Sequence, residues 1–583
     1  MRIDACILII ALVVFYSCCF FTNEAMCGPG NTDAMIVTSE EIQKMNVYRV
    51  HDILNKLPGI RASESSVSIH GSTKVKVLLD GRPINDPTSS HGFVKFDLVP
   101  VDEIDRIEIH RGKGAVKYGR DASGGVILIY TKKISSFHGN GRVYWGNFDT
   151  SSYSANVRFK KKRFGVRFSS GYEYTDGYQI NGDKEKFRVG LKGIYSVMKD
   201  LEASFSADYL NDKRGLSGRP EYPTPHSRKE YEIYSCSASI NAPHVKSESF
   251  FNHAITKNTD PDRSIDYSIK VREFGEDISF LFDRSDFGSF SIGSAFRWGE
   301  ASSTGFDTKD ETSFSVFASH LKKFNLIPVS VSYGMRLTHY SEFKDSLDPE
   351  VEVSCRKQNW SFSVSYSQNN NTPSFYQRYN KTSTKEPNPH LDKELSHNLS
   401  AMFSVRFSLE LSCSTTFFYN WITDRITYVL GDDGIGRYEN FGKVTYKGID
   451  FQTKWQILKN LGIRFNYSFL RAIDEKTGLW LVAKPEHTIY ADVTYSPFRG
   501  LSLIGSAKYE SKQYTRSDNK SSVPPRAIGN LRIEYLPDLK ALVRKVRLEI
   551  FSEIRNISDE RYLYGDGWLA PPLTWICGLN CVF

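Results

Sequence analysis

The chain lacks the features of several common protein classes. Beyond its N-terminus it contains no apolar run near the roughly 20 residues that a membrane-spanning helix needs, although 40% of its 583 residues are hydrophobic. A polytopic helical membrane protein is therefore excluded. The net charge of +8 is spread along the sequence, and no basic face or recognition motif accompanies it, which argues against nucleic-acid binding.

Cysteine is scarce, and its spacing argues against metal binding and disulfides. Nine cysteines fall to five once residues 1–27 are set aside, and these five show no CxxC or Cys/His ligand spacing. Cys577 and Cys581 fall on one predicted strand with their Cα atoms about 13 Å apart, whereas a disulfide tolerates less than ~7 Å. No two histidines have ligand spacing either, including His91, His110 and His138. We therefore expect no metal site, no cofactor and, since no nucleophile–base pair stands out, no enzymatic activity.

Residues 1–27 predict a cleaved secretory signal. Arg2 gives a positive start, Ile7–Phe15 is unbroken apolar sequence, and small residues follow near Ala25. A retained anchor is the alternative, but the apolar stretch is short and no charged stop follows it. Export would exclude a cytosolic enzyme.

What the chain has in quantity is aromatic residues and glycine, with 38 Phe, 32 Tyr and 41 Gly. These residues favour strands and turns over helices. Up to about residue 134 the pattern is mixed α/β. A short strand at Met35–Val37 precedes a helix that is capped by Thr38 or Ser39 and stops at Pro58-Gly59. Further strands are predicted at Val67–Ile69, Lys74–Leu79, Ile104–Ile109 and Val126–Tyr130, the last two joined by a glycine-rich turn.

From Gly141 onward the sequence alternates between apolar and polar residues over long stretches. Tyr153–Phe159, Leu461–Phe469 and Trp575–Phe583 all follow this period of two, which places one set of side chains on each face of a sheet. A soluble sandwich would satisfy the alternation. Three features favour a transmembrane antiparallel β-barrel instead: strands of about ten residues, aromatic residues near strand ends, and a charged polar face. The charges of that face include Arg158, Arg167, Glu173 and Arg464.

Ordered motifs then indicate a family. Val37–Ile60 reads VTSEEIQKMNVYRVHDILNKLPGI, and Val99–Lys133 reads VPVDEIDRIEIHRGKGAVKYGRDASGGVILIYTKK. Both stretches resemble the plug domain of TonB-dependent outer-membrane receptors of the siderophore and cobalamin type. The later stretches NPHLDKELSHNLSAMF and YENFGKVTYKGIDFQ, with the terminal Phe583, are similar to the barrels of the same family. His70 departs from the usual arginine of an Ile-Arg-Gly type motif.

The resemblance implies a barrel of about 22 strands that is filled by an N-terminal α/β plug. The expected domains are the signal at 1–27, the plug at 33–134 and the barrel at 137–583. It further implies residence in the outer membrane, with the TonB complex and outer-membrane lipid as partners, and short extracellular loops. The substrate would be a scarce, large nutrient complex, with a ferric siderophore as the first candidate and cobalamin as the second. We expect a monomer.

Other functions remain open at this point. A non-transporting receptor or adhesin could use the same scaffold without energy coupling. A plain diffusion porin is disfavoured, because a porin needs no domain of a hundred residues in its lumen.

Three sets of residues are candidates for function. Two plug segments, Arg61–Ser66 and Asn85–Phe93, correspond to loops that lie under the ligand in similar receptors. In the second segment the ligand-binding candidates are Asn85, Asp86, Thr88, Ser89, Ser90 and His91. Ordinary solvated turns are the alternative interpretation.

The segment DAMIVTS resembles a TonB box, a short strand that adds to the edge of a TonB sheet, and yet it aligns with the plug's first strand. The TonB-contact candidates are Asp33, Ala34, Met35, Ile36, Val37 and Thr38. For plug–barrel contact, the candidates are Arg106, Glu108 and Arg111, which could pair with carboxylates of the barrel wall. Local pairing on the plug surface is the alternative.

Overall fold

A computed structural model describes residues 34–89, 92–284, 287–324, 326–430, 434–538, 546–565 and 567–583. The predicted signal, Asp33, Ser90 and His91 lie outside these residues. Among the described residues, no helix is both long and apolar enough to cross a membrane.

The N-terminal part folds as a small α/β plug. The strands are β1 Met35–Thr38, β2 Ile60–Ala62, β3 Val67–Ile69, β4 Val75–Leu79, β5 Arg82–Pro83, β6 Ile104–Arg111 and β7 Gly125–Thr131. Five of them form a sheet with the order β1-β6-β7-β4-β5, in which only β4 and β7 run parallel. A separate hairpin joins β2 to β3. The helices are α1 Ser39–Met45, α2 Val50–Asn55 and α3 Ala115–Tyr118, with 3₁₀ turns at Phe96–Leu98 and Val101–Glu103.

The first predicted helix is in fact two. Thr38 caps α1 through a capping box with Glu41. Asn46 then adopts a left-handed conformation (φ 52°) and ends the helix, a role for which asparagine is suited because its short side chain tolerates that region. α2 starts again at Val50 and buries Ile53 and Leu54 in the plug core. The apolar spacing predicted helix correctly but did not reveal the break.

The described residues from His138 onward form a closed antiparallel barrel of 22 strands, so the predicted fold class is confirmed. The barrel closes where its last strand, β33 Thr574–Val582, pairs with its first strand, β8 His138–Gly146. There the Gly139 amide donates to the Phe583 carbonyl at 2.7 Å. The barrel strands are β8 His138–Gly146, β9 Thr150–Lys161, β10 Phe164–Thr175, β11 Lys184–Met198, β12 Leu201–Gly215, β15 Arg228–Asn241, β16 Val245–Asp260, β17 Ile265–Arg284, β18 Gly288–Ser303, β19 Phe306–Lys323, β20 Val329–Tyr340, β21 Ser346–Arg356, β22 Trp360–Asn371, β23 Glu394–Arg406, β24 Leu411–Leu430, β25 Gly436–Leu458, β26 Leu461–Asp474, β27 His487–Tyr495, β28 Leu501–Glu510, β31 Arg526–Tyr535, β32 Arg547–Arg555 and β33 Thr574–Val582.

The two ends of the barrel differ. At the end that holds Phe583, most connections are tight turns of a few residues, such as 162–163 and 459–460. At the opposite end the connections include 176–183, 216–227, 475–486, 511–525 and 556–573, and the longest spans 372–393. Outer-membrane barrels have short periplasmic turns and longer extracellular loops, which identifies this second end as the outer one. It carries two small ribbons, β13 Gly218–Arg219 with β14 Tyr222–Pro223 and β29 Gln513–Tyr514 with β30 Ser522–Val523, and the helix α4 Phe375–Tyr379.

The alternation of the barrel strands separates an apolar exterior from a polar lumen. On β9, Tyr153, Val157 and Phe159 are exposed on the outside, whereas Asn156 is buried inside. The polar lumen is occupied by the plug, and the inward Arg158 donates to Glu103 of the plug at 3.2 Å. The charged face in the sequence is thus the surface that receives the plug.

Candidate ligand-binding face and plug–barrel interface

Three plug segments reach the outer half of the lumen. The first is the turn of the β2–β3 hairpin, where Glu64 accepts from Arg49 at 2.9 Å and from Lys184 at 2.7 Å. Arg61 at the base of the turn donates to the Ala483 carbonyl at 2.5 Å and lies 3.3 Å from Glu510. Lys184 opens β11 at the outer end of the barrel, so this turn lies against the outer rim.

The second segment contains the predicted ligand-binding residues, and most of their polar atoms are already used. Asn85 bridges two stretches of plug backbone, since it accepts from the Val77 amide at 2.8 Å and donates to the Val75 carbonyl at 2.9 Å. Asp86 accepts from the backbone amide and hydroxyl of Thr88 at 2.9 and 2.6 Å.

The same segment also contacts the barrel wall. The Thr88 hydroxyl lies 3.0 Å from the Thr256 hydroxyl of β16, and Ser89 accepts from the Phe93 amide at 3.2 Å. Asp86 and Thr88 are buried. The segment therefore has a structural role in the plug, and its role in ligand binding stays a prediction.

The third segment, the glycine-rich turn after α3, was not predicted as part of the site. Arg120 donates to Glu311 of β19 at 3.0 Å, and Asp121 accepts from the Thr372 amide at 2.9 Å. Glu311 also accepts from Arg378 of α4. One wall carboxylate thus joins the plug to the longest outer loop, and no local sequence pattern connects these three elements.

The outer loop 372–393 folds into the barrel mouth. Ser374 starts α4 with a capping box to Gln377, and Phe375 packs against the inward residues Ile269, Val271 and Ala301. The expectation of short outer loops is wrong for this connection, since a folded segment covers part of the plug from outside.

A continuous set of ion pairs joins the plug to the wall. Arg49 donates to Glu173 at 2.6 Å, Arg82 donates to Asp208 at 2.6 Å, and Asp80 accepts from Lys192 at 2.8 Å. Further pairs of this kind are Asp97–Lys186, Asp102–Arg142, Asp52–Arg555 and Lys113–Glu352. Ion pairs therefore make up much of this interface, and the apolar core of the plug also extends onto the wall at Leu210, Tyr231, Ile233 and Ala254.

The three predicted plug–barrel residues divide into two groups. Arg106 donates to Glu108 at 2.7 Å, and both belong to β6, where alternation places them on one face. This pair therefore lies within the plug, as in the local alternative. Arg111 reaches the wall instead, 3.5 Å from Asp450 of β25, and donates to the Pro58 carbonyl at 2.9 Å.

His70, the residue that departs from the family pattern, meets the same carboxylate. Its Nε2 lies 2.9 Å from Asp450, and its ring stacks on Phe418 at 3.8 Å. Burial lowers the pKa of the His70 imidazole in spite of the neighbouring carboxylate. Gly59 is required beside it, because a Cβ there would lie 2.0 Å from the Asp450 carboxylate.

A small cavity of about 40 Å³ separates the β2–β3 hairpin from the wall at this level. Arg61, His70, Asp450, Lys484 and Tyr490 line part of it. Burial beside two guanidinium groups lowers the pKa of Lys484, which lies in an outer loop, to about 7. The space is large enough for a few water molecules.

The TonB-contact candidates Ala34–Thr38 lie at an edge of the plug. β1 pairs with β6 alone, and Ile36 is 48% exposed whereas Val37 is buried. One side of the strand is therefore bonded to the plug and the other has no partner strand among the described residues. The use of this strand as a TonB contact stays a prediction.

In the described ranges, no three His, Cys, Asp or Glu side chains form a group that could hold a metal ion. Cys577 and Cys581 are free and lie on the same face of β33.

Comparison with known families agrees with this architecture. A family model described as TonB-dependent Receptor Plug Domain matches residues 29–126, and one described as TonB dependent receptor-like, beta-barrel matches residues 111–557. The chain belongs to the TonB-dependent receptor family. This family consists of receptors and transporters.

The receptor is similar to proteins named vitamin B12 transporter BtuB. It is 29% identical to the protein of Vibrio vulnificus strain CMCP6 over 251 residues, which cover 40% of this chain and only 39% of that relative. It is 23% identical to a Vibrio cholerae relative over 502 residues, 78% of this chain and 77% of that one.

Solved structures share the fold. A mutant of the ferric enterobactin receptor PfeA of Pseudomonas aeruginosa has a TM-score of 0.78 at 18% identity, covering 94% of this chain and 98% of that chain. The siderophore receptor PirA of Acinetobacter baumannii has a TM-score of 0.78 at 15% identity with the same coverage.

Proposed function

We propose that this receptor resides in the outer membrane, binds a large nutrient complex on the outer face of its plug and imports it with energy from TonB. The observation that carries the proposal is the interface between the domains. A 22-stranded barrel is too wide for its own side chains to fill, and many of the contacts that hold the plug inside it are ion pairs. Such a plug can be displaced without unfolding the barrel.

A ferric siderophore is the first candidate substrate and cobalamin the second. Solved siderophore receptors share the fold, and relatives by sequence are named vitamin B12 transporters. Both ligands are too large for a narrow channel, so their passage requires a wide lumen. Increased expression under iron limitation would favour the first candidate, whereas increased expression under cobalt limitation would favour the second.

Uptake in cells tests import directly. The receptor is expressed in a strain that lacks its own siderophore and cobalamin receptors, and accumulation of ferric enterobactin and cyanocobalamin is measured with and without TonB. We expect accumulation of one of them to require TonB. Accumulation that is unchanged without TonB would overturn import by this mechanism.

The alternative is a receptor that binds its ligand without transporting it. The pairing of β1 supports this alternative. A strand that is bonded to β6 offers only one free edge to TonB. Surface binding of a ligand with no TonB-dependent accumulation would support this alternative.

A further inference from the structure

Two cations lie side by side on the outer surface of the barrel. Lys447 of β25 and Arg471 of β26 are direct cross-strand partners. Asp450 of β25 and Asn466 of β26 point into the lumen, where Asp450 meets the plug and the Asn466 amide donates to the Lys56 carbonyl. Alternation therefore places Lys447 and Arg471 on the membrane side, and both side chains are exposed.

The residues around the two cations indicate where these lie along the barrel axis relative to the membrane. Towards the periplasm, the outward residues apart from Thr453 are apolar or aromatic on both strands: Ile449, Phe451 and Trp455 on β25, and Phe469, Tyr467 and Phe465 on β26. Tyr419 of β24 lies directly opposite Lys447 on its other side. The cation pair therefore lies at the outer margin of the apolar belt, at the level of lipid head groups.

The two cations have no internal counter-charge. Neither makes a hydrogen bond or an ion pair with any part of the chain that the structure describes. Glu475, in the adjoining loop, instead accepts from Thr445, and Lys443 adds a further exposed cation on the same face. Like charges directly opposite on a sheet are destabilising, so this position favours an external anion.

At least one other outward cation near the same margin has a partner within the chain. Arg272 of β17 lies directly opposite Glu300 of β18, with Nη1 3.2 Å from the carboxylate, and Phe274 follows it on the apolar belt. The contrast separates an ordinary rim ion pair from the pair at Lys447 and Arg471.

We propose that Lys447 and Arg471 bind a phosphate group of an outer-leaflet lipid. An arginine guanidinium offers two parallel donors to phosphate oxygens, and a neighbouring ammonium adds a compact charge. The aromatic surface directly below would receive the acyl chains of the same molecule, which favours a lipid over a soluble phosphate. The inference rests on the outer-membrane placement in the proposed function and not on the identity of the nutrient.

Native mass spectrometry of the purified receptor tests the site. The receptor in detergent is titrated with bis-phosphorylated lipid A, with the same lipid after phosphatase treatment, and with inorganic phosphate. For the double variant Lys447→Gln with Arg471→Gln we expect at least about tenfold weaker binding of lipid A, since both cations that attract the lipid phosphate are removed. Arg272→Gln, the matched control, should bind as the wild type does.

Three outcomes would overturn the proposal. One is equal binding of lipid A by the double variant and the wild type. Another is that the wild-type receptor binds the phosphatase-treated lipid as tightly as it binds lipid A. The third is that inorganic phosphate binds to the site as well as lipid A does. Arg471→Lys should retain most of the binding, which separates charge from fold, and heat-modifiable migration on gels verifies that each variant is folded. No nutrient is present, so a failed import proposal leaves this result unaffected.

Discussion

Asp450 provides the sharpest test of how the plug is held. Asp450→Asn removes the carboxylate that faces Arg111 at 3.5 Å and His70 at 2.9 Å, in a site where the Asp450 side chain is 2% exposed. At that separation the Coulomb energy of the Arg111 pair is about 5 kcal/mol for an effective dielectric constant of ~20. Breaking a buried pair from one side typically costs about 3–5 kcal/mol. We therefore expect the free energy of plug opening to fall by about 3 kcal/mol.

Hydrogen exchange of the purified receptor, resolved by peptide, measures that opening. A loss of about 3 kcal/mol makes exchange more than about a hundredfold faster in plug peptides around His70 and Arg111, because each 1.4 kcal/mol is a factor of ten. Arg106→Met is the matched control: its side chain is 40% exposed and pairs with Glu108, so its loss should cost less than ~1 kcal/mol.

A second variant separates lost charge from lost packing. Replacing both partners, Arg111→Met with Asp450→Leu, should restore much of the protection, since apolar pairs of similar volume often replace buried ion pairs without cost. Exchange within threefold of wild type in Asp450→Asn would refute the assignment of this contact as a main attachment of the plug. An equally large effect of Arg106→Met would refute it as well.

Three further predictions concern coupling, closure and pH. Ile36→Pro removes a backbone donor from β1, so uptake should fall to the level without TonB while surface binding persists; unchanged uptake would contradict a TonB contact there. Deletion of Asp33–Lys133 should give a barrel that conducts small ions in planar bilayers, and conductance equal to that of the full-length protein would mean that this segment is not a plug. Burial and the neighbouring Lys113 and Lys117 lower the pKa of His110 to about 3. Unfolded His110 gains a proton below about pH 6.5 and the folded residue does not. The free energy of unfolding of the plug should therefore fall by about 2 kcal/mol between pH 7 and pH 5. In urea titrations, the variant His110→Gln should lack this contribution to the pH dependence.

The sequence by itself determined the architecture, because the signals for it are local. A period of two along a strand fixes which side chains face the lumen, and so Arg158 and Glu173 could be assigned to a polar inner face before their partners were known. The ordered motifs from Val37 to Lys133 likewise predicted the plug. Local signals were less complete at Asn46, where a single left-handed residue divides a helix that the apolar spacing predicts as continuous.

Only the tertiary structure decided which charges meet. Arg106 and Arg111 look alike in sequence, yet the first pairs with its strand neighbour Glu108 and the second reaches Asp450 across the lumen, 339 positions away. The sequence predicted Asn85 as a ligand-binding residue, but in the folded plug its side-chain amide joins two backbone stretches. Contacts between residues this far apart depend on the register of 22 strands and the seating of the plug, and no local pattern encodes either.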